Sequence, residues 1–221
     1  MVLRLKGTGR ATQSGFPPLR FRRAKPPCKT LYIPDPDTPR RPETTMTIMI
    51  PAWVDGTLQP VDKLDAHERG LRHKAVSVFV MRGDEVLIQR RALGKYHTPG
   101  LWANTCCTHP FWDEAADTCA LRRLDDELGI TGVTSRHMGQ VEYRADVGGG
   151  MIEHEVVEIF RAEATPQMTL APNPNEVMDT RWVGRPQLMQ EVAETPERFT
   201  PWMRIYLDQH SDLVFGAAGT P

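Results

Sequence analysis

The clearest pattern along the chain is a set of apolar, β-favouring runs punctuated by turn residues. Ala75-Val-Ser-Val-Phe-Val-Met81 is dense in β-branched and aromatic side chains, and Glu85-Val-Leu-Ile-Gln-Arg90 follows it across a Gly-Asp turn. The two runs read as an antiparallel pair. Upstream, Asp55-Gly56 stands between Trp53-Val54 and Thr57-Leu58, the signature of a tight hairpin. Farther on, Ala116, Cys119, Ala120, Leu124 and Leu128 recur at helical spacing. Arg122, Arg123, Asp125, Asp126 and Glu127 lie between them, and Gly129 is placed to stop the helix. Strands are expected over 142–145 and 153–164, turned by Gly148-Gly-Gly150, with a short one over 181–183. Helices are expected over 185–193 and 200–214. Thr195-Pro196 and Thr200-Pro201 each present a capping residue followed by proline, a helix start. Hairpins interleaved with helices predict an α+β fold, a mixed sheet core flanked by helices, rather than a doubly wound sheet.

The first 45 residues break this pattern. Eight of the 19 prolines precede residue 43, and proline removes amide donors while disfavouring helix in the residue before it. The segment carries ten Lys and Arg against three Asp and Glu, so the chain's net charge of −1 leaves −8 on residues 46–221. We expect 1–45 to be a disordered Pro/Arg-rich extension, with Met46 or Met49 as an alternative start, and 46–221 to be the folded domain. Its arginines also suit an organelle-targeting segment, but the amphipathic helical pattern of one is missing, as is an apolar run of secretory length.

Composition narrows the class. The chain is 40% hydrophobic and 25% charged, and no run approaches 18 apolar residues, so no spanning helix and no membrane partner are expected. A near-neutral balance argues against nucleic acid, whose phosphates need a basic excess. Four cysteines, two of them adjacent (Cys106 and Cys107), make no secreted disulfide framework, which points to the reducing cytosol. Nothing in the pattern speaks to oligomeric state.

Four groups of residues can carry chemistry. In Asn104-Thr-Cys-Cys-Thr-His-Pro110, Cys107 and His109 share one face of an extended chain, as an acid or nucleophile beside a metal ligand, or as a buried thiol beside a capping imidazole. Glu153 and Glu155 share a strand face, where two close carboxylates raise each other's pKa unless a cation intervenes; an edge strand facing solvent is the plainer reading. His67 and His73, with His109 and the two glutamates, offer more donors than a closed four-coordinate zinc site takes. Lys63, Arg91, Lys95 and Arg123 are cations suited to a diphosphate, or simply to a solvated face.

These groups resemble a known family. The helix resembles a degenerate Nudix box (Gly-x5-Glu-x7-Arg-Glu-apolar-x-Glu-Glu-x-Gly-apolar), here Thr108-x5-Glu114-x7-Arg122-Arg123-Leu124-x-Asp126-Glu127-x-Gly129-Ile130. Thr108 replaces the opening glycine, and Arg123 replaces a glutamate that holds the metals in Nudix hydrolases. With Asn-Thr-Cys-Cys-Thr-His-Pro, Arg91-Ala-Leu-Gly-Lys95, Glu153-His-Glu155, Asn175-Glu-Val-Met178 and Phe199-Thr-Pro-Trp202, the stretch from about Pro51 to Leu213 resembles the type I isopentenyl-diphosphate delta-isomerases. That resemblance implies a Nudix-like sheet and movement of the double bond of isopentenyl diphosphate to give dimethylallyl diphosphate through a tertiary carbocation. It implies Cys107 and Glu155 as the acid–base pair, with either direction of proton flow open, and Tyr143 as their hydrogen-bonding helper. Trp202 would be the indole wall beside the cation, Trp182 a core residue. His67, His73, His109, Glu153 and Glu155 would hold one divalent metal (zinc, manganese or magnesium), with His67 the least secure ligand because its interval to His73 is short. Glu127 would help hold Mg2+ on the diphosphate, and Lys63, Arg91, Lys95 and Arg123 would neutralise it. The alternatives are a Nudix diphosphohydrolase and a metal-stabilised binding module without catalysis.

Overall fold

β-Branched and aromatic side chains on alternate positions give one long central strand two different apolar faces. A computed structural model describes residues 47–216; the expected disordered segment 1–45 and the alternative start Met46 lie outside the described residues. The described strands are β1 (Met49–Val54), β2 (Thr57–Asp62), β3 (Arg72–Arg82), β4 (Glu85–Arg91), β5 (Trp102–Ala103), β6 (Cys106–Thr108), β7 (Ser135–Gly148), β8 (Met151–Glu163) and β9 (Val177–Gly184). The helices are α1 (Lys63–Glu68), α2 (Ala116–Leu128), α3 (Arg185–Glu194), α4 (Pro201–Gln209) and α5 (Ser211–Phe215). All nine strands join one mixed sheet. β3 pairs antiparallel with β1, β4 and β6 but parallel with β8, and β8 pairs antiparallel with β7.

The alternation on β3 sorts the core. Val76, Val78 and Val80 pack with Cys119, Ala120, Leu124 and Leu128 of α2. Ala75, Phe79 and Met81 face the other way, toward Val157 and Ile159 of β8 and toward Trp202, Met203 and Tyr206 of α4. Each such buried aliphatic or aromatic side chain is worth roughly 1.5–3 kcal/mol of transfer free energy. A smaller cluster of Ile50, Ala52, Val61 and Ala66 fixes the β1–β2 hairpin against α1.

The local signals act as their chemistry dictates. Asp55 and Gly56 both take positive φ (51° and 78°), the conformation a two-residue hairpin turn requires. Gly129, at φ 59°, closes α2 in an αL ending: its N–H bonds the Asp125 carbonyl (2.8 Å), while that of Ile130 bonds the Leu124 carbonyl (3.1 Å).

Four expectations change. α1, not foreseen, is a single well-capped turn and a half, with Asp62 accepting from the amides of Leu64 and Asp65. The single helix expected over 200–214 is two: His210, at φ −133°, breaks it so that Val214 returns to the core. Thr195 does not start a helix with Pro196 beyond one 3₁₀ turn; its hydroxyl bonds back to the Glu191 carbonyl (2.9 Å), ending α3 instead. Trp182 is only partly buried, with the Arg82 guanidinium over its ring at 4.4 Å. Among the described residues no helix is long and apolar enough to cross a membrane.

Candidate active site

The parallel pairing of β3 with β8 sets His73 beside Glu155, and β7 sets Tyr143 on the other side of Glu155, three side chains in one register across adjacent strands. The period-two repeat of β8 adds Glu153 to the same face. His67 arrives from α1 and His109 from the residue after β6. The five buried residues His67, His73, His109, Glu153 and Glu155 each bring one donor atom within 4.8 Å of the others.

The tautomers of this cluster follow from its hydrogen bonds. His67 Nδ1 lies 2.6 Å from the Lys63 carbonyl and His73 Nδ1 2.7 Å from that of Leu71. A carbonyl only accepts, so both Nδ1 atoms donate and both Nε2 lone pairs point into the cluster. Opposite them stand further acceptors: Glu153 Oε1 at 3.6 Å from His67 Nε2, and Glu155 Oε1 at 3.7 Å from His73 Nε2. His67 Nε2 and Glu153 Oε2 have no hydrogen-bond partner at all. Buried lone pairs facing one another need a positive charge between them, so this donor set fits a divalent cation. Burial would raise Glu155, but the His73 imidazole and the Tyr143 hydroxyl outweigh it and hold the carboxyl at about 2. Burial would lower His73, and the Glu155 carboxylate outweighs it and raises the ring. His109 is held well below the usual imidazole value by burial and then by Lys63.

Beside the cluster stands Cys107. β-Alternation sends Cys106 into the α2 core and Cys107 into the pocket, where burial pushes its thiol well above the ordinary value. Tyr143 donates to Glu155 Oε2. Trp202 lies against the same pocket, its indole N–H donating to Asn104 Oδ1 at 3.2 Å. Asn104 in turn donates to the carbonyls of Val78 and Cys106 (3.1 and 2.7 Å), so the indole is anchored to the strands that carry the thiol.

The cations collect at the pocket's mouth. Lys63, Lys95 and Arg123 line both the inner pocket and a wider outer chamber of about 250 Å³, whereas Arg91 lines the inner part alone, 5.3 Å over the Trp202 ring. Burial, then the charge of Lys95, lowers Lys63 below the ordinary amine value. Glu127 is buried in α2, apart from the five-donor cluster, accepting from Arg123 (2.6 Å) and Gln89 (3.0 Å). Glu176 bridges Lys95 and Arg123.

A NUDIX domain is recognised over residues 71–203. A protein of Cereibacter sphaeroides named isopentenyl-diphosphate Delta-isomerase is 67% identical over 171 residues, 77% of this chain and 97% of that protein. One of the same name from Dinoroseobacter shibae is 63% identical over 175 residues, 79% of this chain and 99% of that one. The chain belongs to the isopentenyl-diphosphate delta-isomerase family of Nudix proteins. Its fold is also that of the solved Deinococcus radiodurans protein DR0079, with a TM-score of 0.58 at 13% identity, covering 72% of this chain and 96% of that one.

Three residues of this isomerase-family pocket had no site role in the sequence. Tyr96, His97 and Thr108 line it. His97 is buried, its Nε2 3.1 Å from Glu153 Oε1 and its Nδ1 3.1 Å from the Thr98 hydroxyl. The loop Lys95-Tyr-His-Thr-Pro99 holds two ring-bearing residues between a cation and a proline, a signal that a search for titratable residues near Lys95 would have caught.

Proposed function

We propose that this protein interconverts isopentenyl diphosphate and dimethylallyl diphosphate. One observation carries the reading: a single pocket has Cys107, Glu155 and Trp202 at its closed end and Lys63, Lys95 and Arg123 where it opens into the outer chamber. Such a pocket suits a molecule with a small reactive hydrocarbon at one end and a diphosphate at the other. Moving the double bond means adding a proton at the terminal alkene carbon and removing one from the carbon beside the diphosphate-bearing CH2. Cys107 and Glu155 are the pair for these transfers. Either can act first, because the reaction is reversible. Tyr143 holds the Glu155 carboxylate in place, and the Trp202 indole faces the tertiary cation formed between the two transfers.

A divalent cation on the five donors would fix the charge and orientation of Glu155; zinc, manganese and magnesium all suit imidazole with carboxylate. Glu127, already engaged by Arg123 and Gln89, keeps free lone pairs for a Mg2+ accompanying the diphosphate. Arg123 stands on α2 where the Nudix-box pattern has a glutamate, so a cation faces the diphosphate there, which argues for a group bound intact rather than hydrolysed. The inner end encloses only about 20 Å³, room for about one water, so a five-carbon chain enters with side-chain movement.

We assign the activity to residues 46–221, which contain the recognised domain over 71–203 and all of the candidate site residues. A chain starting at Met46 is expected to keep activity and melting temperature, and a large loss of either would give the segment 1–45 a structural role. The free cysteines Cys106, Cys107 and Cys119 among the described residues suit a reducing cytosol. The direct test is proton and phosphorus NMR of the protein with isopentenyl diphosphate and Mg2+ in D2O. Dimethylallyl signals with deuterium in a methyl group and an intact diphosphate are expected. Release of phosphate without isomerisation would instead make the protein a hydrolase, and neither reaction in metal-loaded protein would leave it a binding module.

A further inference from the structure

Two buried hydroxyls, those of Ser77 and Tyr206, lie in a line from Cys107. Ser77 lies across from Cys107 on the β3–β6 ladder, and its hydroxyl donates to Cys107 Sγ at 3.3 Å. The same oxygen lies 2.8 Å from the Tyr206 hydroxyl, 129 residues away on α4. Ser77 has one proton and gives it to sulfur, so its oxygen accepts from Tyr206, and the chain of donation runs Tyr206 to Ser77 to Cys107. Both residues are fully buried. The Tyr206 ring is fixed edge-on between Phe79 and Tyr143, with centroids 5.7 and 5.9 Å away.

We propose that Ser77 and Tyr206 are positioning residues for Cys107, which hold its sulfur toward the substrate pocket and stabilise the sulfur anion that exists whenever the thiol has given up its proton. The inference rests on the proton-transfer role given to Cys107. Sulfur is a poor hydrogen-bond acceptor as a thiol and a good one as a thiolate, so a relayed pair of donors favours the charged state selectively. This holds whichever way the isomerisation runs, since sulfur alternates between the same two states. Tyr206 remains a donor throughout, because burial, then the neighbouring Cys107, holds its hydroxyl well above the ordinary phenol value. The arrangement mirrors the other half of the pair, where Tyr143 donates to Glu155. Each reacting group thus has its own buried donor, one set on β3 and α4, the other on β7.

The test uses the metal-loaded full chain and three variants, Ser77→Ala, Tyr206→Phe and Ser77→Thr. Ser77→Ala is expected to lower kcat roughly 10–100-fold, the scale of one hydrogen bond to a charged group, with KM for isopentenyl diphosphate within about twofold of wild type. Tyr206→Phe, which loses only the hydroxyl, is expected to lower kcat by a smaller factor in the same direction, and Ser77→Thr to restore most of the loss. The infrared S–H stretch of Cys107, assigned by subtracting the Cys107→Ala spectrum, is expected to shift in Ser77→Ala and in Tyr206→Phe. That band is read without substrate, so it tests the hydrogen bonds even if wild type turns over no isopentenyl diphosphate. An unmoved band with kcat within about twofold would overturn the proposal. So would a loss of kcat that threonine does not restore while the band stays put, the mark of a packing defect. If Ser77→Ala does not fold, Tyr206→Phe decides by the same two readings.

Discussion

Trp202 is asked to do two things that substitution can separate. Its indole N–H satisfies the buried Asn104 oxygen, and its ring lines the pocket in which the proposed reaction would develop positive charge. Trp202→Phe keeps a ring but strips the N–H, leaving Asn104 Oδ1 buried without a donor at a cost of about 1–3 kcal/mol, with ~1 kcal/mol more for the space vacated. For a domain of this size, each kcal/mol lowers the melting temperature by roughly 2–4 °C, so a fall of about 5–15 °C is expected. Trp202→Leu removes the quadrupole as well. A desolvated cation–π contact is worth roughly 1–2 kcal/mol, which converts to a loss of about 5–30-fold in kcat. Turnover measured well below the melting point, by dimethylallyl formation at saturating substrate, should therefore rank wild type above Phe and Phe above Leu, with KM nearly constant. Should folded Trp202→Leu turn over within about twofold of wild type, the indole is a packing residue and the electrostatic argument is wrong.

Cys107→Ala is expected to retain fold and metal yet lose about 10²–10⁴ in turnover, the usual contribution of a general acid or base, and near-normal kcat would remove Cys107 from the reaction. At Gly129 an added Cβ would sit 2.8 Å from both the carbonyl oxygen and the Cβ of Ala171, whereas at Gly83, with the same φ of 59°, it would meet nothing within 4 Å. Gly83→Ala should cost about 1–2 kcal/mol of backbone strain and Gly129→Ala clearly more, by urea unfolding; equal costs would show that the 171 loop yields freely. Burial would raise Glu114, but its paired bonds to Arg122 at 2.6 Å outweigh it and depress the carboxyl. A depressed acid stabilises the fold above its unfolded pKa and loses that contribution as pH falls through its folded value. Glu114→Gln should thus cost about 1–2 kcal/mol at pH 7, allowing for the partial exposure of Arg122, and the gap to wild type should close as pH drops below about 4. A gap of constant size across that range would mean that the ion pair is not its source.

Local signals made much of the scaffold legible. Asp55-Gly56, the valine-rich β3 and the 3.6-residue spacing from Ala116 to Leu128 each encode their element within a few neighbouring residues. α1 gave no such signal, since six residues with Leu64 exposed show no periodic face; only Asp62, as a cap, hinted at it. The candidate site was legible differently. Period two on β8 puts Glu153 and Glu155 together from sequence alone, and residue type adds His67, His73 and His109 as candidate donors, but only resemblance to a family made the five one metal site. What brings them together is the parallel β3–β8 register, a pairing across about eighty residues that no local pattern states. His97 hid in an irregular loop. Ser77 and Tyr206 look like ordinary members of a strand and a helix, and only the packing of α4 over the sheet joins them.

The wide origin of the five donors has a consequence for the life of the protein. They come from α1, β3, the end of β6 and β8, and span residues 67 to 155. An unfolded chain assembles no such site, so a cation held there is bound by the native state alone and adds its binding free energy to folding. At a free concentration one hundred times the dissociation constant, the gain is about 2.7 kcal/mol by mass action. That lowers the fraction of molecules open to proteases by roughly the same hundredfold. Metal supply would then set how many copies of the enzyme a cell keeps, quite apart from how fast each one works.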